Sequence, residues 1–141
     1  MTRELVLDAS VLAKWYHTDR EEHLVQAHRL RDEYESGNLM IVVPPLLPIE
    51  LLNVAARRWR ATPEDVEALA RDLMGLALTV QQPPLERVAY WAGRGLTAYD
   101  ACYVALAEER RTMVVTQDEA IIRIAGALAS SLDAATSAGE G

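Results

Sequence analysis

Lysine and cysteine each occur once in this 141-residue chain, and histidine three times. Cys102 has no partner for an internal disulfide, and within Ala101-Cys102-Tyr103-Val104 it reads as a core residue. His17, His23 and His28 fit no zinc-ligand spacing, and a single cysteine adds too little to them. No stretch reaches the roughly 18 apolar residues of a membrane-spanning helix. The first apolar run is broken at Asp8, so no secretory leader and no membrane association are expected, and the expected location is the cytoplasm. Net positive charge is lacking too: the net charge is -7, which argues against broad, sequence-blind binding of a polyanion, since that mode depends on a basic face. All of the 14 basic residues except Lys14 are arginines, rigid bidentate donors for phosphate wherever they cluster.

Half of the residues are hydrophobic, enough for one sizeable core in a single domain. Glu4-Leu5-Val6-Leu7, Met40-Ile41-Val42-Val43, Leu76 to Val80 and Thr112 to Val115 read as buried strands, the second stopped by Pro44-Pro45. Helices are expected from Arg20 to Ser36, closed by Gly37, and from Leu46 to about Arg60. Thr62-Pro63-Glu64-Asp65 opens another, to about Met74, with a cap, a proline in the first turn and an acid at N3. Thr97 to Asp100 and Thr116 to Glu119 have capping-box character. This alternation predicts an α/β fold, a parallel sheet with helices on both faces. The domain is expected over 1–132, with a short edge strand around 127–132 and a flexible tail at 133–141.

Four carboxylates interrupt or border these apolar stretches. Asp8 follows the first strand, at the end where open α/β sheets bind ligands, although it or Ser10 could simply cap the helix beginning at Val11. Asp118 lies just past the Val115 strand end, where a place in the Thr116 capping box and the helix dipole explain it equally well. Asp100 is N3 of the Thr97 box, and the helix after it is so apolar that the acid is expected to be buried with it. Glu50 is hardest to explain structurally, since Leu46 to Val54 is apolar on most of its helical surface. A buried carboxylate needs an arginine, a hydrogen-bond set or a metal; Asn53, one turn on, could orient it. Oxygen donors of one charge brought together suit Mg²⁺ or Mn²⁺.

Val6-Leu7-Asp8-Ala9-Ser10-Val11-Leu12-Ala13-Lys14-Trp15, Pro48-Ile49-Glu50-Leu51-Leu52-Asn53-Val54, Leu96 to Ala107 and Val114-Val115-Thr116-Gln117-Asp118, in that order, resemble a PIN domain. The resemblance is closer to the VapC-type toxins of toxin–antitoxin pairs, and it covers nearly the whole chain. It implies a three-layer α/β/α fold around a parallel sheet of four to five strands. It also implies a Mg²⁺ or Mn²⁺ pocket of Asp8, Glu50, Asp100 and Asp118 that hydrolyses RNA to 5′-phosphate and 3′-hydroxyl ends. Thr116 would support that pocket, with Ser10 and Asn53 as further orienting groups. A homodimer and a cognate antitoxin that covers the site are implied as partners. Arg57 and Arg58 could grip phosphates at the rim, or merely complement the dipole of their helix. Lys14 could touch the RNA backbone, while Trp15 reads as core. A PIN nuclease of RNA maturation and a non-catalytic acidic binding module are the competing readings. A phosphoacceptor receiver is not, because Asp8 has no adjacent acid and Thr116-Gln117 holds no lysine.

Overall fold

The computed structural model describes residues 2–17 and 22–140. Five parallel strands form the sheet among them: β1 (Arg3–Leu7), β2 (Leu39–Val43), β3 (Thr79–Val80), β4 (Val114–Val115) and β5 (Ala129–Ser130), in the order β3-β2-β1-β4-β5. Val6, in the central strand, pairs with Val42 on one side and Val114 on the other. Strands buried on both faces are expected to be continuous apolar runs, and Leu5, Val6, Leu7, Ile41, Val42, Val43, Val114 and Val115 are all buried.

The helices are α1 (Ala9–Leu12), α2 (Leu24–Glu35), α3 (Leu46–Arg57), α4 (Pro63–Gly75), α5 (Leu85–Ala92), α6 (Ala98–Arg110), α7 (Glu119–Ala125) and α8 (Leu132–Glu140). They cover both faces of the sheet, in the three-layer arrangement expected: α2 packs on β2 and α8, whereas α6 packs on β1, α5 and α7. Thr62 and Thr97 cap α4 and α6 as expected, accepting from the amides of Asp65 and Asp100. The apolar α6 is buried nearly all round, through Ala101, Tyr103, Val104, Ala105, Leu106 and Ala107. Trp15 is a core residue, its indole donating to the Ala27 carbonyl at 2.9 Å.

Several expectations need correction. The expected helix start at Arg20 lies outside the described residues; among these the helix begins at Leu24, after His23 in a left-handed conformation (φ 61°). The third strand shrinks to Thr79–Val80, because Ala77 also turns left-handed (φ 54°). α5 was not anticipated: its N-cap position is Pro84, which supplies no capping side chain, so the segment carries no start signal. A tertiary pair fixes it instead, Arg87 to both carboxylate oxygens of Glu108 on α6 at 2.7 and 2.8 Å. Arg110 likewise ties α6 to the sheet, gripping Glu4 of β1 with two bonds of 2.7 Å.

The segment from 133 was expected to fray and is instead helical, as α8. Leu132, Ala135 and Thr136 are buried, and the Ala135 carbonyl accepts from Arg3, whose guanidinium also clasps Glu33 of α2. Contact with the first strand and α2 supplies what Ala, Ser and Gly composition lacks.

Candidate active site

The strand order reverses at β1: successive crossovers run outward through β2 and β3, then jump to β4 and β5 on the other side. A crevice opens at the carboxyl ends of the two strands flanking such a switch point. Asp8 follows β1 directly, and Thr116 to Asp118 follow β4. The backbone joins the two ends, Asp8 donating its amide to the Val115 carbonyl at 3.3 Å.

Asp8 is buried at 6% exposure and fully engaged. Its Oδ1 accepts from the Ser10 hydroxyl at 2.6 Å and the Val11 amide at 3.1 Å, the second bond capping α1; Oδ2 accepts from the Thr116 hydroxyl. Burial pushes its pKa up to about 6; the Ser10, Thr116 and Val11 hydrogen bonds pull downward, and the charge of Asp100 adds to the rise. The capping and site readings of Asp8 are thus both compatible with its position, because the cap uses one oxygen only.

Thr116 departs from its expected place in a capping box. Its hydroxyl is buried, donates to Asp8 and accepts from the Asp118 amide at 3.0 Å. Asp118 is itself the N-cap of α7, with Oδ1 accepting from the amides of Ala120 at 2.8 Å and Ile121 at 3.0 Å. Two residues earlier than the cap, Thr116 still belongs to the strand end, so it faces β1 rather than α7. Ser10 completes the bridge by accepting from the Gln117 amide at 3.4 Å.

Glu50 on α3 is half-buried, and no described basic residue pairs with it. Its Oε1 accepts from the Tyr103 phenol at 2.5 Å, a partner 53 residues away that no local sequence signal announces. Tyr103 lies one helical turn after Asp100, so both project from one side of α6. Burial, then the bond to Glu50, holds the phenol well above its ordinary pKa, so it stays protonated as a donor; the charges of Asp8 and Asp100 act in the same direction. Burial raises Glu50, the phenol bond lowers it, and Asp100 raises it again. Asp100 is raised by burial and by Asp118, and lowered by its bond to Thr97. Asp100 therefore sits within the electrostatic reach of Asp8, Glu50 and Asp118 alike. Cys102, beside Glu50, has a thiol raised by burial, which suppresses the reactive thiolate.

Asn53 is exposed and lines, with Glu50, Leu46, Ile49 and Tyr99, an open depression of about 480 Å³. Arg57 and Arg58 are exposed at the end of α3. Lys14 is not at a rim: it is 6% exposed, in the turn that inserts Trp15 into the core.

Among the described residues, no three carboxylates converge into a finished metal cage. They share a field rather than a centre, Asp100 acting on Asp8 and Glu50 and Asp118 acting on Asp100. Nor does a described basic residue pair with any of the four. The donor chemistry still fits a hard divalent cation: all donors are carboxylate oxygens, and burial and mutual repulsion make three of them costly to leave charged.

Comparison with solved structures finds PAE2754 from Pyrobaculum aerophilum, with a TM-score of 0.68 and 27% identity over 98% of this chain and 97% of that one. FitAcB from Neisseria gonorrhoeae superposes with a TM-score of 0.64 at 16% identity, over 91% of this chain and 97% of the other. VapBC2 from Rickettsia felis, bound to a DNA fragment from their promoter, gives 0.61 at 11% identity, over 92% and 98%. Comparison with curated proteins gives no match. The PIN domain family profile matches residues 5–127, a span that contains all four carboxylates and the carboxyl ends of β1 and β4 that border the site, and the chain belongs to that family.

Proposed function

We propose that this PIN domain is a divalent-metal-dependent endoribonuclease, the toxin of a toxin–antitoxin pair. The observation that carries the reading is the electrostatic coupling of Asp100 to Asp8, Glu50 and Asp118, with Asp8, Glu50 and Asp100 each raised by burial and none of the four paired with a described basic residue. Asp8, Glu50, Asp100 and Asp118 are the residues that would hold Mg²⁺ or Mn²⁺. Bound there, such an ion supplies Lewis-acid polarisation of a phosphodiester and an activated water, so neither histidine nor a protein nucleophile is required.

The protein's own groups do the positioning. Thr116 and Ser10 fix both oxygens of Asp8, and Tyr103 holds Glu50 toward Asp100. Asn53 lies beside Glu50 on the approach to the site. Asp118 has one oxygen committed to α7, leaving Oδ2 for a cation. The resemblance of the four carboxylate segments to VapC-type toxins supports an antitoxin as partner, and a homodimer in the cytoplasm accompanies that reading.

Incubation of the purified protein with structured RNAs and Mg²⁺ or Mn²⁺ tests the proposal. Cleavage should leave 5′-phosphate ends, stop with chelator, and fall at least about 100-fold in Asp8→Asn and Asp100→Asn, the scale expected when electrostatic stabilisation is lost. Variants that cut as fast as wild type would sink the assignment.

A further inference from the structure

We infer that Tyr103 is a positioning residue of the proposed metal site: its phenol occupies one oxygen of Glu50, so that this carboxylate meets a cation through the other oxygen, and the site thereby favours Mg²⁺ and Mn²⁺ over Ca²⁺. This rests on the nuclease reading and deepens it. Tyr103 is 1% exposed, and its hydroxyl lies 2.5 Å from Glu50 Oε1. The ring is held in the core from α6, whereas Glu50 reaches it from α3. A glutamate side chain turns about several bonds, and a short bond from an immobile donor selects one arrangement before any cation arrives. Among the described residues, Tyr103 is the one hydrogen-bond donor to Glu50.

Two neighbouring carboxylates are arranged alike. Asp8 Oδ1 accepts from the Ser10 hydroxyl and the Val11 amide, and Asp118 Oδ1 accepts from the amides of Ala120 and Ile121. A carboxylate oxygen has two lone-pair sites, so two donors leave it none for a metal. Asp8 and Asp118 are thus restricted to Oδ2, and Asp8 Oδ2 already accepts from the Thr116 hydroxyl. Without the phenol, Glu50 would be free to clasp a cation with both of its oxygens. Cation size turns this pattern into selectivity. Ca²⁺ takes about six to eight oxygens at roughly 2.3–2.6 Å and readily accepts two from one carboxylate, whereas Mg²⁺ demands octahedral geometry at roughly 2.0–2.1 Å and keeps several waters. Mn²⁺ shares the octahedral preference for oxygen. Carboxylates that each present one oxygen leave places for water, which suits the smaller ions and leaves Ca²⁺ short of ligands.

Mn²⁺ binding followed by electron paramagnetic resonance, with Ca²⁺ as competitor, tests this in wild type and Tyr103→Phe, a change that removes one oxygen and keeps the volume of the core. Tyr103→Phe should raise the Kd for Mn²⁺ about 10- to 100-fold, the range for losing a group that orients a metal ligand. Ca²⁺ should lose less, so the preference for Mn²⁺ over Ca²⁺ falls. A merely structural tyrosine would weaken both ions alike or neither, and either result overturns the inference. The wild-type protein gives a second readout, which decides even where the variant fails to fold: the proton NMR resonance of the Tyr103 hydroxyl should persist when Mg²⁺ is added. Its disappearance overturns the inference, because the phenol would then have released Glu50. If wild type binds Mn²⁺ but cuts no RNA, the nuclease reading fails while these binding measurements still decide the role of Tyr103. A wild type that takes up no Mn²⁺ overturns both.

Discussion

Asp8 shows most directly what a single residue contributes to this site. A carboxylate forced to about pKa 6 is charged at neutral pH against the preference of its surroundings. Because the folded value lies above the unfolded one, its contribution to stability is fully present below about pH 4 and is lost as the pH rises through about 6. The metal-free protein should therefore gain on the order of 3 kcal/mol from this residue between pH 7.5 and 4. Glu50 and Asp100 push the same way. Glu4 and Glu108, lowered by hydrogen bonds from Arg110 and Arg87, oppose this only below their ordinary range, near pH 4.5. Thermal unfolding in chelator should show a midpoint that rises from pH 7.5 to 5.5, and Asp8→Asn should melt higher than wild type at pH 7.5. A lower midpoint for Asp8→Asn would mean that the charge is held without cost. Asp8 and Glu50 were legible in the sequence because a lone acid inside an apolar run is anomalous at a glance. Tyr103 was not, since a tyrosine in an apolar helix reads as core and its partner is 53 residues away.

Local signals and tertiary ones separate cleanly among the elements. α4 and α6 were legible because Thr62 and Thr97 satisfy helix amides within three residues. α5 and α8 were not, because what holds them lies far off in sequence: the Arg87–Glu108 pair for α5, and for α8 the core beneath Leu132 and the Arg3 bond to Ala135. Thr116 was legible as part of the site but misread as a cap, since the strand end and the helix start are only a few residues apart. That α8 is integral to the domain has a measurable consequence. Leu132 is fully buried, so Leu132→Ala should cost about 2–5 kcal/mol in urea unfolding. A cost below about 0.5 kcal/mol would restore the frayed tail that composition alone suggests.

For the whole molecule, alternating strands and helices made a parallel α/β sheet legible, but not the order β3-β2-β1-β4-β5. That order sets the Asp8 and Asp118 strand ends side by side, while α6 brings Asp100 within electrostatic reach of both and α3 brings Glu50 within reach of Asp100. The resulting balance of charge makes the proposed substrate depend on local contacts: a net charge of -7 surrounds a site whose exposed cations on α3 are Arg57 and Arg58. With about two phosphates neutralised on a single strand, the slope of log affinity against log salt is roughly -1.4. Raising monovalent salt from about 50 to 200 mM, at fixed Mg²⁺, should therefore weaken single-stranded RNA binding only about 7-fold. Fluorescence anisotropy with the cleavage-deficient Asp100→Asn variant measures this directly. A loss of about 1000-fold over the same range would require many more phosphate contacts than this chain's surface provides, and would place the polyanion on a basic face contributed by another subunit.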